Sequence, residues 1–287
     1  MKSTSSQISG ALNIGICGLG TVGRGTVELL LNNAKEIERR LGYALTISHV
    51  VTRTLDVNRK TLLGSCGEIQ VGTDPFAVVK DPQVQIVVEA MGGYDPAFEV
   101  VKQALSNGKH VVTANKALIA EYGNELFPVA EQNNVNLAYE SSVAAGIPII
   151  KVLREGLAAN EIDWVAGIIN GTGNFILTEM AAGQRKFEVV LKQAQELGYA
   201  EADPTFDIEG IDAAHKLTII GSIAFGIPLQ FNKTYTEGIS KITPEDISYA
   251  DELGYSIKHL GIARRTVKGV EMRVHPTLLS KSRLLAN

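Results

Sequence analysis

The sequence predicts an α/β protein, with a doubly wound parallel sheet over residues 12–147 and a second α+β domain over residues 148–287. Three observations carry this. Short β-branched runs at Asn13–Cys17, Leu45–Val51, Ile86–Ala90, His110–Ala114 and Val135–Tyr139 alternate with helical patterns, as expected of a parallel sheet with crossover helices. The first run leads without a break into Gly18-Leu19-Gly20-Thr21-Val22-Gly23, and a helical pattern follows at once. After Ile147-Pro148 the alternation stops and helices mix with fewer strands. A length of 287 residues suits two domains of roughly 150 residues each.

Taken in order, residues 1–11 lack the apolar core of a secretory signal and read as a disordered tail. Between about Thr21 and Leu41 the apolar Val22, Val27, Leu30, Leu31 and Ile37 recur on one helical face, so a single helix is predicted to pack on the first strand. Beyond residue 148 the pattern gives a helix, a strand at Ile162–Ile169, helices through an acidic segment, and strands at Tyr255–Ala263 and Val270–Pro276. No window reaches the roughly 18 apolar residues of a membrane span. A net charge of −4 with no basic cluster argues against a nucleic-acid surface. Two cysteines, Cys17 and Cys66, are too few for a disulfide framework or a four-ligand zinc site, and reduced thiols in a cytoplasmic protein are expected.

The glycine motif between a strand and a helix points to a dinucleotide and a Rossmann-type sheet. Gly18 permits a tight turn, Gly20 lets backbone approach a pyrophosphate, and Gly23 brings helix and strand together, with Leu19, Thr21 and Val22 completing the turn. The plain alternative is a tight βα turn. The second strand ends Val51-Thr52-Arg53 with no carboxylate before Asp56, so Arg53, with Arg59 or Lys60 nearby, favours NADP and leaves NAD open. Two further loops leave the carboxyl ends of strands, Met91-Gly92-Gly93 and Thr113-Ala114-Asn115-Lys116. The first suits backbone packing against a cofactor through Met91 and Gly92. In the second, Lys116 could meet a substrate carboxylate or the nicotinamide ribose, or be a surface lysine.

Between Gly198 and Lys216 five carboxylates, Glu201, Asp203, Asp207, Glu209 and Asp212, precede one lysine. Asp212 and Lys216 are four apart and share a helical face. An exposed pair of this kind is commonplace, but the continuation Leu217 to Phe225 is apolar nearly all round, as in a buried helix. Unpaired buried charge is costly, so these groups must pair or line a cleft. There Lys216 suits proton exchange with a carbonyl oxygen, and the carboxylates suit an ammonium group. His215 is the rival acid or base. The turn Glu140 to Pro148 offers one carboxylate and bent backbone, either a hinge or ligands for a hard cation.

Gly18 to Gly23, Thr113 to Lys116, Glu140 to Pro148, the segment Gly167 to Leu177 with its Asn170-Gly171-Thr172, and Gly198 to Lys216 together resemble homoserine dehydrogenase, in order and over nearly the whole chain beyond the tail. The resemblance implies reversible NAD(P)-dependent interconversion of L-homoserine and L-aspartate 4-semialdehyde, on the branch to threonine, isoleucine and methionine. It implies Lys216 as proton donor and Lys116 between substrate and nicotinamide. Glu201 and Asp212 would bind homoserine with support from Asp207, and Gly198 would touch the cofactor through its backbone. A sodium ion would rest on Glu140 and the carbonyls of Val143, Ala145 and Ile147, with Ala145 standing where many members have glycine. Strands of the second domain would form a homodimer. Family members continue past the His275-Pro276-Thr277-Leu278 region with a glycine-rich return segment and, in many bacteria, an ACT domain. The resemblance therefore implies a substrate-binding and dimerisation domain that is incomplete at its C-terminus. Two other readings stay open: an inactive nucleotide-binding form, and another NADP-dependent oxidoreductase of a small hydroxy amino acid.

Overall fold

The computed structural model describes residues 10–286, so most of the expected disordered tail at 1–11 lies outside the described residues. Two compact units emerge, one comprising Met1–Leu118 and Tyr122–Ser142, the other Ile119–Glu121 and Val143–Asn287.

The first unit is built on six parallel strands, β1 (Leu12–Cys17), β2 (Leu45–Val51), β3 (Gln70–Gly72), β4 (Ile86–Glu89), β5 (His110–Thr113) and β6 (Leu137–Ala138), in the order β3-β2-β1-β4-β5-β6. The order reverses at β1, which pairs with β2 on one side and β4 on the other, so the carboxyl ends of β1 and β4 frame the switch point where ligands of such sheets bind. The strands read from the sequence are all present. β3 escaped that reading because it is only three residues long and exposed on both faces.

Helices α1 (Thr21–Asn32), α2 (Ala34–Leu41), α3 (Val57–Gly64), α4 (Pro75–Lys80), α5 (Ala97–Ser106) and α6 (Lys116–Gln132) connect the strands. The single helix expected over Thr21–Leu41 breaks at Asn33, whose φ of −111° and ψ of 14° leave the helical region while its side-chain amide donates to the Leu29 carbonyl. Val27 is fully buried against Ile14, Ile16 and Val50, whereas Val22, in the first turn, is 53% exposed and not part of that face.

Gly15 shows how closely the layers approach. A Cβ there would stand 2.2 Å from Val78 Cγ1 of α4, so glycine is what lets that helix lie on β1. At the other end of the sheet Lys109 is buried and donates to the Asp81 and Val84 carbonyls at 2.5 and 2.6 Å, tying down the turn before β4. Burial lowers its pKa from the ordinary lysine value, opposed by the charge of Asp81.

After the short helices α7 (Ser141–Ala144) and α8 (Ile149–Lys151), the second unit contains β7 (Trp164–Gly167), α9 (Gly171–Gly183), α10 (Phe187–Glu196), α11 (Thr205–Ile208), α12 (Ile211–Phe225), β8 (Tyr235–Thr236), α13 (Pro244–Glu252), β9 (Tyr255–Thr266) and β10 (Gly269–Ser280). Its sheet runs β7-β9-β10-β8. β9 and β10 form an antiparallel hairpin twelve residues deep on each side, longer than the two predicted strands because the alternation continues through partly exposed residues at both ends. The apolar α12 is covered as its pattern requires: Ala213, Ala214 and Leu217 pack with Ala263, Met272 and Val274. A second core joins Ile176, Leu177 and Met180 of α9 to Val190 and Ala194 of α10.

Substituting Gly15→Ala is expected to destabilise the protein by about 1–3 kcal/mol, the usual cost of overpacking, and the second change Val78→Ala should recover part of that loss. Chemical denaturation of the single and double variants measures both effects.

Candidate functional site

β1 passes into α1 through three glycines with different steric reasons. At Gly18, where φ is +101°, a Cβ would come within 2.4 Å of the Ala90 carbonyl oxygen, and at Gly23 one would stand 1.9 Å from the Gly18 carbonyl oxygen. Gly20 meets nothing within 4 Å and faces open space. It is the N-cap of α1 and no side chain caps that first turn, so backbone N–H groups at the positive end of a helix are presented to an anion. Gly18, Leu19, Gly20, Arg53, Met91 and Gly92 line a cleft of about 640 Å³. Thr21 and Val22 are exposed beside it at the start of α1.

Arg53 is exposed on the cleft wall at the end of β2. Arg59 also lines the cleft, but its guanidinium is committed. Nε donates to the Leu19 carbonyl at 3.0 Å, and Nη1 bonds to the Thr54 carbonyl and hydroxyl and pairs with Asp56 at 3.2 Å. Arg59 therefore braces the glycine loop from below, and of the two arginines Arg53 is the one facing solvent.

Sequence reasoning missed Glu89, the last residue of β4. It is fully buried, and its carboxylate accepts from the N–H groups of Met91 at 2.8 Å and Gly92 at 3.2 Å and from the Thr113 hydroxyl at 2.5 Å. Thr113 Oγ1 accepts in turn from the Asn115 N–H at 3.0 Å, and Asn115 Nδ2 donates to the Gly93 carbonyl at 2.6 Å. One carboxylate thus ties together both loops that the sequence singled out, Met91–Gly93 and Thr113–Lys116. Asn115 also caps α6, whose first residue is Lys116. The nearby Cys17 thiol is pushed up to about 12 by burial, with Glu89 and Asp74 adding to the shift, so it is no nucleophile.

In the second unit the charged start of α12 is an ordered cluster. Gly210, at φ +80°, is the N-cap, and Asp212 is 5% exposed. The Asp212 carboxylate accepts from Lys216 Nζ at 2.7 Å and from Asn170 Nδ2 at 2.9 Å. The same Asn170 amide donates to Asp207 at 2.7 Å, while its oxygen accepts from the Gly173 N–H at 2.7 Å and so caps α9. Lys216 Nζ donates a second bond, at 3.0 Å, to the Ile169 carbonyl. Asn170 joins two carboxylates that would otherwise repel, a role that its place in an Asn-Gly-Thr turn did not disclose. His215 is buried with its ring 4.2 Å from that of Phe231 and its Nε2 3.5 Å from Glu121.

Glu201 stands apart from this cluster. Its side chain is exposed and hydrogen-bonds to no other described residue, while its carbonyl accepts from Gln195. Gly198, at φ +76°, ends α10 with open space over its α-carbon. The residues expected to hold sodium divide between the units, Glu140 in the first and Val143, Ala145 and Ile147 in the second. Ala145 has a φ of +50°, the left-handed region that glycine occupies without strain. No cluster of three or more histidine, cysteine or acidic side chains among the described residues is arranged to hold a metal.

The chain is similar to known proteins over nearly all of its length. The family model described as "Homoserine dehydrogenase, NAD binding domain" matches residues 18–140, and that described as "Homoserine dehydrogenase" matches residues 148–287. The homoserine dehydrogenase of Pseudomonas aeruginosa is 59% identical over 276 residues, which is 96% of this chain and 62% of that protein. The crystal structure of a homoserine dehydrogenase from Thiobacillus denitrificans superposes with a TM-score of 0.92 at 59% identity, covering 96% of this chain and 63% of the other. A hyperthermophilic archaeal homoserine dehydrogenase, solved in complex with NADPH, superposes with a TM-score of 0.79 at 30% identity over 96% of this chain and 84% of its own. The chain thus spans somewhat over three fifths of the length of these two bacterial relatives. Both family models, the shared Rossmann-type sheet and the identities together place the chain in the homoserine dehydrogenase family.

Proposed function

We propose that the protein interconverts L-homoserine and L-aspartate 4-semialdehyde with NAD(P), on the branch that supplies threonine, isoleucine and methionine. The observation that supports this most is the Lys216 ammonium, fixed by Asp212 and the Ile169 carbonyl. An ammonium has three N–H donors, and two are used, so the third is available for a substrate oxygen.

The cleft suits a dinucleotide: open space over Gly20, the uncapped start of α1 and a glycine loop braced by Arg59 are what a pyrophosphate needs. Gly18, Leu19, Gly20, Thr21, Val22 and Gly23 would hold it, with Met91 and Gly92 packing on the far wall and Gly198 contributing backbone. NAD(P) supplies a hydride acceptor or donor when bound. Arg53, on the cleft wall, would read a 2′-phosphate, and the solved archaeal relative was in complex with NADPH. In the direction of reduction, Lys216 gives the proton of its third N–H to the aldehyde oxygen as the carbonyl carbon becomes an alcohol; in oxidation it takes that proton back. Asp207, Asp212 and Glu201 would hold the substrate ammonium, and Lys116 its carboxylate near the nicotinamide.

Glu140 and the carbonyls of Val143, Ala145 and Ile147 would offer a sodium ion one negative charge and neutral oxygens, and no step of the reaction is assigned to it. Trp164 and Tyr235, 65% and 56% exposed on the second unit's sheet, fit burial against a second copy. The free thiols of Cys17 and Cys66 accord with a reducing cytoplasm.

Nicotinamide absorbance followed with L-homoserine and with other hydroxy amino acids, in this chain and in a form with the length of its relatives, tests the assignment; a large preference for another alcohol overturns it. Replacing Lys216→Ala should lower turnover by about 100-fold or more with NADP affinity nearly intact, since a positioned acid or base is worth that much. Replacing Arg53→Ala should raise the KM for NADP by about tenfold and leave that for NAD within about twofold, the scale of one charge-assisted contact. The change Glu89→Ala, which frees both cofactor loops, should weaken binding of either nucleotide by about tenfold or more in a fluorescence titration.

A further inference from the structure

His259 lies in β9 on the face that packs against α12, is 4% exposed, and has no part in the chemistry above. Its neighbours are the two turns that build the amino-acid site. A Cβ on Gly210, the N-cap of α12, would stand 3.0 Å from His259 Cε1 and 3.2 Å from Nε2. One on Gly173, whose N–H is capped by Asn170, would stand 3.8 Å from Nδ1. The imidazole fills the space beneath both helix starts.

Its protonation state follows from its partners. Nε2 lies 2.9 Å from the Glu237 carbonyl oxygen, which only accepts, so Nε2 carries a proton and Nδ1 holds the lone pair of the neutral ring. Nδ1 is buried and hydrogen-bonds to no described residue. A second proton would have to reside there, beside the positive N-terminal ends of α9 and α12. Burial lowers the ring's pKa and His275 lowers it further, against the opposing pull of the Glu237 carbonyl and carboxylate. In the chain, Glu209 and Asp212 flank Gly210, against which the ring packs.

We propose that His259 is a positioning residue of the substrate site: its neutral ring is the shared floor of the Gly210 turn and the Asn170–Gly173 turn, and holds Asp212 in register with Asn170. This rests on the proposed function for the identity of the substrate. An unfolded histidine takes its proton near pH 6.5, and the native ring takes it at lower pH, so the contribution of the neutral ring is complete above about pH 6.5 and is lost as pH falls through the native value.

The test compares the wild-type enzyme with His259→Leu, which fills the space and cannot take the proton, and with His259→Ala, which empties it. Steady-state kinetics between about pH 5 and pH 9 are joined to the amide shifts of ¹⁵N-labelled glycines against the titration of the ring. In the wild type the KM for L-homoserine should rise about fivefold or more on the acid side, and the Gly173 and Gly210 amides should follow the midpoint of the ring. His259→Leu should abolish that acid rise, and His259→Ala should raise the KM for homoserine by about fivefold even at neutral pH with the KM for NADP unchanged. An acid rise that persists in His259→Leu, amides that ignore the ring, or a His259→Ala variant that loses cofactor affinity in step with substrate affinity overturns the proposal. Amides that follow the ring in a protein that leaves homoserine untouched support the positioning role and overturn the substrate assignment instead.

Discussion

Buried charge is the constraint around which both units are arranged. Glu89, Lys109 and Asp212 each sit at 5% exposure or less, and each is met by fixed partners: backbone N–H groups and a hydroxyl for Glu89, two carbonyls for Lys109, an ammonium and an amide for Asp212. Removing one partner from such a group costs about 3–5 kcal/mol, because the survivor is left uncompensated in a medium that solvates it poorly. Loops held by these contacts are therefore held firmly. The same contacts that make the charges tolerable also fix Met91 and Gly92 at the cleft wall and Lys216 beside Asp212, the groups to which the proposed function gives roles.

Close approach of backbones is the second theme, and it explains why the glycine motif works as it does here. Gly18 is excluded from bearing a side chain by Ala90, and Gly23 by Gly18, while Gly20 meets nothing. Two of the three glycines thus serve the packing of loop against strand and helix, and only the middle one leaves space for a ligand. The switch in strand order beside β1 is what makes that space fall at the end of the sheet. In the second unit Gly210 plays the corresponding part, letting the ring of His259 lie directly against the start of α12.

Local relations were legible in the sequence. Five of the six strands of the first unit, the glycine loop and the pairing of Asp212 with Lys216 depend on residues within a turn or two of each other, and spacing alone fixes which face they share. Relations between distant segments were not. The reach of Arg59 back to Leu19, the bridge from Asn170 to Asp207 and Asp212, and the clasp of Glu89 on Thr113 join residues 24 to 42 positions apart, and no periodicity announces them. The break at Asn33 lay hidden for a different reason: apolar spacing continues on both sides, and the Asn33 side-chain amide donates to the same Leu29 carbonyl that accepts from its own backbone N–H.

By itself the sequence determined the class of the fold, the glycine loop of the NAD-binding domain and the helical pairing of Asp212 with Lys216, because period, glycine placement and charge spacing are properties of short segments. Tertiary structure decided what state those residues are in. Whether the Asp212–Lys216 pair is a solvated surface contact or a buried and oriented one depends on Asn170 and the Ile169 carbonyl arriving from another strand–helix turn. Both Arg53 and Arg59 line the cleft, and which of them is left facing solvent depends on which the glycine loop and Thr54 have already engaged. Desolvation and hydrogen bonding act through space, and space is assigned only when the chain has folded.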